Sequence, residues 1–102
     1  MRLIVMFDLP TVSKTDQQKY NKFRTFLLQN GYYMLQFSIY VKLCTNYDDL
    51  RKHIKRLRFH IPDKGNVRCL TVTEKQYEEM EIFVGMKSYQ EEYTNLNPII
   101  EL

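Results

Sequence analysis

Glycine, proline, cysteine and histidine are scarce in this 102-residue chain, and tryptophan is absent. Its three dispersed glycines form no Gly-rich loop of the kind that cradles phosphates. The two cysteines and two histidines do not have the spacing of zinc ligands. Cys44 and Cys69 are therefore expected to be buried, reduced thiols, and the sequence argues against both nucleotide-loop and zinc chemistry.

Long apolar runs are also missing. The run at the amino end is stopped by Asp8 and Pro10, so it is too short for a signal peptide, and no other stretch could span a membrane. We therefore expect a cytoplasmic protein. The length predicts one domain covering residues 1–102, in which the residues after about 86 form a tail.

Charge is segregated along the chain. The net charge is only +3, which permits a nucleic-acid partner without establishing one. The stretch from Lys42 to Lys64 is basic, whereas the part after Glu74 is acidic. The position of the charges is thus more informative than their total.

Hydrophobic periodicity predicts the order of the elements. The apolar run Leu3–Phe7 indicates a central strand, and Ser13 with Asp16 indicates the start of a helix that closes at Asn30-Gly31. Residues 32–44 are extended, either as one strand or as two broken near Gln36-Phe37-Ser38. The rest is predicted as a second helix capped by Asn46, a strand Val67–Thr73, a short helix Glu74–Glu81 and a strand Ile82–Val84.

This order favours an α+β fold, a ferredoxin-like βαββαβ sandwich with both helices on one face of the sheet. The late strand formed by Ile82, Phe83 and Val84 has no place in the minimal fold. An apolar strand near a terminus needs a partner for its edge, and a second protomer is an obvious one. The sequence therefore predicts a homodimer with these three residues at its interface.

Asp8 is the most informative polar residue. On spacing alone, a carboxylate between a central strand and a proline turn is a turn or helix-capping residue as readily as a catalytic one. No second carboxylate lies close to it in sequence. If the chain is an enzyme, two copies of Asp8 across a dyad could supply both ligands of one shared Mg²⁺ ion, or of Mn²⁺ in its place. Asp8 is thus the candidate catalytic and metal-binding residue.

Basic side chains on the two helices are candidates for phosphate contacts. Five positive residues lie between Arg51 and Arg58, more than the nearby acids can pair, although a solvated helix face is the commoner meaning of such a run. The residues predicted to bind nucleic acid are Lys14, Arg24, Arg51, Lys55 and Arg58. Phe37 and most of the tyrosines are expected to pack in the core.

Taken together, several motifs resemble the CRISPR-associated Cas2 family over essentially the whole chain. They are Phe7-Asp8-Leu9-Pro10, Phe23-Arg24-Thr25-Phe26-Leu27 before Gly31-Tyr32, Leu35-Gln36-Phe37-Ser38-Ile39-Tyr40, and Val67-Arg68 leading to Thr73-Glu74-Lys75-Gln76. One departure is Phe7, where the family often has tyrosine.

The resemblance implies a ferredoxin-like homodimer in which the late strand of each protomer extends the other's sheet. It implies that Asp8 is a Mg²⁺-binding catalytic carboxylate of a nuclease acting on single-stranded RNA or duplex DNA. It also implies a partnership with the Cas1 integrase in spacer acquisition. Two functions follow: a metal-dependent phosphodiesterase, and a bridge that positions DNA without cutting it. The adaptation role is favoured over intrinsic catalysis.

Overall fold

The computed structural model describes residues 1–87, which form four strands and three helices. Because each element follows a strong local pattern, the observed order matches the predicted one up to the third helix. The elements are β1 (Arg2–Asp8), α1 (Lys14–Gln29), β2 (Tyr33–Gln36), β3 (Ile39–Leu43), α2 (Tyr47–Arg58), β4 (Asn66–Val72) and α3 (Glu74–Glu78).

The strands form one antiparallel sheet in the order β2-β3-β1-β4. β1 is the central strand, with Val5 opposite Tyr40 of β3 on one side and opposite Cys69 of β4 on the other. With α1 and α2 packed on one face, this is the predicted ferredoxin-like α+β arrangement. Within residues 1–87, no helix is long and apolar enough to cross a membrane.

The main core lies between the sheet and the two long helices. Successive residues of a strand face opposite sides, so Leu3, Val5 and Phe7 all point toward α1 and α2. The helices begin where their caps were predicted. Ser13 forms a reciprocal capping box with Asp16, and Asn46 accepts a hydrogen bond from the N–H of Asp49 at 2.8 Å. Local capping thus fixes both helix starts.

The opposite face of the sheet, the open face, is covered at one end by α3. There Arg2 is only 2 % exposed, and its guanidinium donates to both carboxylate oxygens of Glu74, at 2.8 and 3.0 Å. It also donates to the Tyr33 hydroxyl and lies 4.0 Å from the centre of the Tyr77 ring. This buried network fastens α3 to β1 and β2 and leaves the Asp8 end of the open face uncovered.

Residues 32–44 form two strands, the second of the two alternatives. The turn between them places Ser38 at a φ of 64°, and it turns Phe37 out to solvent with 86 % exposure. The expectation that Phe37 packs in the core is therefore wrong. A residue in a tight turn has no sheet neighbour to cover it, so its aromatic character did not predict burial.

Two further expectations need correction. Cys69 is exposed, not buried, because it lies on the edge strand β4 beyond the cover of the helices. Ile82–Val84 do not form a strand in the described chain, since a strand requires a hydrogen-bonded neighbour and this segment has none there. The predicted tail after about residue 86, with its acidic residues Glu91, Glu92 and Glu101, lies outside the described residues apart from Met86 and Lys87.

Candidate functional site

Asp8 is the last residue of the central strand, and its side chain is exposed on the open face. Phe7 and Asp8 point to opposite sides of the sheet because they are neighbours in a strand. Among residues 1–87, the Asp8 carboxylate has no hydrogen bond or ion pair with another side chain. The Asp8 carboxylate is exposed at the end of a strand, so it is available to bind a ligand.

The backbone around Asp8 is held by two neighbouring loops. The N–H of Phe7 donates to the carbonyl of Ser38 at 3.0 Å, which joins β1 to the β2–β3 turn. On the other side, Gly65 has a φ of +88°, and a Cβ placed on it would lie 2.6 Å from the carbonyl oxygen of Asp8. Only glycine allows the loop before β4 to approach the end of β1 so closely.

Other polar and aromatic groups lie around the same strand end. Asn66 is directly opposite Asp8 in the sheet, and Arg68 is opposite Met6 on the same face. The exposed Phe37 lies in the β2–β3 turn, next to Ser38, whose carbonyl accepts the hydrogen bond from the N–H of Phe7. Sequence reasoning missed these three residues as site members. Only the antiparallel register, which pairs strands that are distant along the chain, brings them together.

One chain supplies one carboxylate at this place. No group of three or more His, Cys, Asp or Glu side chains that could hold a metal exists within the described residues. Mg²⁺ is commonly held by one or two carboxylates together with waters and substrate phosphate. The free, exposed carboxylate of Asp8 fits that requirement, and a second Asp8 from another copy would complete the pair.

Apolar side chains remain exposed near this end of the open face. Leu70 of β4 is half-exposed, and Phe83 and Val84 are almost fully exposed. The segment Met80–Met86 lies beside Leu35 and Gln36 of β2. The exposed apolar residues of this segment beside β2 are typical of a surface that another protein covers, whereas Leu70 lies on the opposite edge strand.

Comparisons with known proteins identify the family of this chain. Residues 1–80 match the sequence profile of the family described as CRISPR associated protein Cas2. The chain belongs to the Cas2 family. It is 48% identical to the CRISPR-associated endoribonuclease Cas2 of Acidovorax ebreus, over 93% of each chain.

Other Cas2 proteins support the same assignment. The CRISPR-associated endoribonuclease Cas2 of Streptococcus mutans is 49% identical over 78% of this chain and 73% of its own. A crystal structure of Streptococcus pyogenes Cas2 superposes with a TM-score of 0.62, covering 82% of this chain and 100% of that one. At 15% identity, the latter shows the shared fold alone.

The structure shows what is done by the side chain of Phe7, the residue next to Asp8 in β1. The Phe7 ring is buried against Phe23 and Tyr40, with ring centres 5.1 and 5.7 Å away. It therefore belongs to the helix-side core and lies on the face opposite Asp8. A change at this ring alters the core and not the immediate surroundings of the carboxylate.

The five basic residues predicted to bind nucleic acid are all exposed, but they do not form one cluster. Arg51, Lys55 and Arg58 lie at helical spacing along one side of α2, and Arg51 pairs with Asp48 at 2.8 Å. Lys14 and Arg24 lie on α1, roughly 15 Å apart along its axis. The structure therefore gives a basic stripe on α2 and two separate cations on α1.

A titratable pair lies beneath the start of α2. His53 is buried and its Nε2 is 3.3 Å from Asp49, which also accepts a hydrogen bond from the N–H of Thr45. Burial, aided by the charge of Lys42, lowers the pKa of His53 despite the attraction of Asp49. The Thr45 N–H hydrogen bond is the main cause of the lowered pKa of Asp49. Near pH 7 the imidazole is thus neutral beside an ionised carboxylate.

Proposed function

We propose that this protein is a dimeric, nucleic-acid-processing component of CRISPR spacer adaptation, acting in the cytoplasm. In this proposal, Asp8 from two protomers forms one Mg²⁺-dependent phosphodiesterase site, for which Mn²⁺ could substitute. The observation that carries the proposal is the Asp8 carboxylate itself. It is exposed, free of side-chain partners within residues 1–87, and fixed by backbone contacts at the end of the central strand.

The residues around Asp8 suit a phosphodiester substrate. A bound Mg²⁺ would lower the pKa of a water molecule and offset charge on the phosphate. The Asp8 carboxylate would hold and orient that ion. Arg68, on the same face, would neutralise phosphate charge, and the exposed Phe37 ring offers a surface for an unstacked base. Relatives named endoribonucleases support cleavage of RNA, while duplex DNA is the alternative substrate.

The dimer supplies the second carboxylate. We infer that Ile82, Phe83 and Val84 become a strand when they pair with the sheet of a second protomer, because their apolar side chains are exposed and they have no strand partner in the described chain. An interface made by the same segment in both protomers is two-fold symmetric. Such symmetry would relate the two β1 strand ends, and so the two Asp8 residues, by the same two-fold axis.

A second candidate function is a bridge that positions duplex DNA for the Cas1 integrase without cutting any bond. The observation that favours it is that each chain contributes a single carboxylate to the site. In this role the exposed cations Lys14, Arg24, Arg51, Lys55 and Arg58 would contact DNA phosphates with no sequence preference. Asp8 would then be a turn residue.

Cleavage assays with metal titration separate the two functions. Purified protein would be incubated with single-stranded RNA or duplex DNA at increasing Mg²⁺ or Mn²⁺, beside an Asp8→Ala variant and a metal-free control. Metal-dependent cleavage that Asp8→Ala abolishes supports the phosphodiesterase. Equal residual activity in both proteins would indicate a contaminating nuclease and favour the bridge.

A further inference from the structure

A wide groove runs between α1 and α2 on the side of the molecule away from the open face. It has a volume of about 1120 Å³. Its walls come from α1, from the carboxyl end of α2 and from the loop that follows α2 up to Asp63. Neither the predicted cations nor Asp8 line this groove, so it is distinct from the site described above.

The charged groups in the groove are mainly positive. Lys19, Lys22 and Arg56 line it, and the carboxylate there, Asp63, is bound by Lys19 at 2.8 Å. Amide side chains also line the α1 side of the groove, among them Gln18 and Asn21. After the Lys19–Asp63 pair is discounted, the groove retains positive charge and hydrogen-bond donors. It is therefore complementary to a polyanion.

The groove also carries flat aromatic surfaces. Phe59, at the carboxyl end of α2, is 76 % exposed. Next to it, the exposed His60 ring stacks on Phe26, with centres 4.1 Å apart and planes 12° from parallel. The backbone carbonyl of Arg56 lies 2.9 Å from His60 Nδ1 and holds the imidazole in place. Exposed rings beside cations are the pattern that binds unpaired bases.

The groove leads toward the Asp8 strand end. Lys19, Pro62 and Asp63 line both the groove and a small adjoining cleft that contains Leu9, Pro10 and Lys64. Leu9 follows Asp8 directly, and Lys64 precedes Gly65, which touches the Asp8 backbone. The groove and the cleft thus form a continuous surface that reaches the loop following Asp8 at the end of β1.

We propose that the α1–α2 groove binds a single-stranded nucleic acid, with phosphates on Lys22 and Arg56 and a base stacked on Phe59. The bases of a duplex are stacked inside the helix and cannot reach an aromatic ring in a groove wall, so the occupant is a single strand. This assignment rests on the proposed function, because the groove would hold the part of the strand that extends beyond Asp8.

Binding of a fluorescently labelled 12-nucleotide oligouridylate, an oligothymidylate and a 12-base-pair duplex tests the assignment. The full chain would be measured by fluorescence anisotropy in EDTA, so that no cleavage occurs. Phe59→Ala should weaken single-strand binding about 5- to 150-fold, as expected for the loss of one base stack, and should leave duplex binding unchanged. A loss of affinity for either the RNA or the DNA single strand supports binding in the groove. The strand with the larger loss of affinity is the preferred ligand.

A second variant and a matched control keep the test decisive. Lys22→Gln should reduce the magnitude of the slope of log K against log salt by about 0.7 for the single strand. Val12→Ala, at a position 92 % exposed but outside the groove, should bind like wild type. Unchanged single-strand affinity in folded Phe59→Ala, or an equal loss with the duplex, would overturn the proposal.

The result is separable from the fate of the Asp8 proposal. If Phe59→Ala weakens single-strand binding but no cleavage depends on Asp8, the groove proposal stands and the phosphodiesterase proposal fails. Asp8-dependent cleavage without sensitivity to Phe59→Ala would do the reverse.

Discussion

Gly65 lies directly against the main chain of Asp8. A Cβ on Gly65 would come within 2.6 Å of the Asp8 carbonyl oxygen and within 3.1 Å of the Leu9 Cα. These neighbours are backbone atoms in and beside the central strand, so they cannot move aside as a side-chain end can. The position of the candidate catalytic carboxylate therefore depends on a residue with no side chain in another part of the sequence.

Gly65→Ala should destabilise the fold and impair cleavage, because it adds the clash with Asp8 to the strain of a positive φ. The matched control is Gly31→Ala. Gly31 has nearly the same φ, +86° against +88°, but its added Cβ would meet only the flexible end of Lys42. Urea unfolding should show a loss of about 1–3 kcal/mol for Gly31→Ala and a larger loss for Gly65→Ala. Equal losses would mean that the contact with Asp8 is unimportant.

Glu74→Gln should destabilise the protein by about 1.5–3 kcal/mol, the usual value of hydrogen bonds to a charged group. The substitution leaves the buried guanidinium of Arg2 without its carboxylate partner. Glu78→Gln, at an exposed position of the same short helix, should change the free energy of unfolding by less than about 0.5 kcal/mol. If both variants unfold at the same urea concentration, the network does not hold α3 in place.

Unfolding free energy should fall as the pH is lowered below 6.5, with a contribution from His53. The folded state lowers the pKa of His53 below its ordinary value of 6.5, so the unfolded chain binds the proton first. The stability conferred by the neutral imidazole is complete above pH 6.5 and is lost as the pH falls toward the folded pKa. The lowered pKa of Asp49 acts in a separate, more acidic window, as the pH falls below 3.8.

His53→Leu should flatten this pH dependence, since leucine fills a similar volume without titrating. The measurement is urea unfolding of both proteins at several pH values between 7.5 and 5. Parallel pH profiles for wild type and His53→Leu would show that burial does not depress protonation of this imidazole.

The chain should be a dimer in solution, with twice the 12.4 kDa mass of one chain. Val84→Asp should shift it toward the monomer, because a charge in the predicted interface would lose its water on association. Val12→Asp is the control, since Val12 and Val84 are 92 % and 93 % exposed in the single chain. Light scattering at micromolar concentration that finds wild type monomeric would remove the shared-metal site.

Local patterns predicted most of this fold, and the reason is visible in individual residues. Ser13 and Asn46 mark helix starts because their side chains satisfy N–H groups only three residues away. The alternation of Leu3, Val5 and Phe7 against Asp8 on the other face follows from strand geometry alone. Such signals need no knowledge of the rest of the chain.

The surroundings of Asp8 could not be predicted in the same way. Asn66 and Arg68 reach the site through the register between β1 and β4, and Phe37 is exposed by a turn that depends on Ser38 at positive φ. Ile82–Val84 have the composition of a strand but lack a partner in the described chain. Sequence placed the candidate residue Asp8 at a strand end by local pattern and missed the neighbours that depend on tertiary contacts.

Asp8→Asn tests the central proposal most directly, because asparagine keeps the shape of the strand end and removes the charge that would hold the metal. Cleavage and Cas1-dependent spacer insertion would be measured on the same preparations, with dimer mass and thermal stability as controls. Thermal stability should stay equal or rise, since two carboxylates facing each other without metal repel. We expect Asp8→Asn to remain dimeric, to lose Mg²⁺-dependent cleavage and to support spacer insertion. Undiminished cleavage by the folded, dimeric variant would contradict the assignment of Asp8 as the catalytic carboxylate.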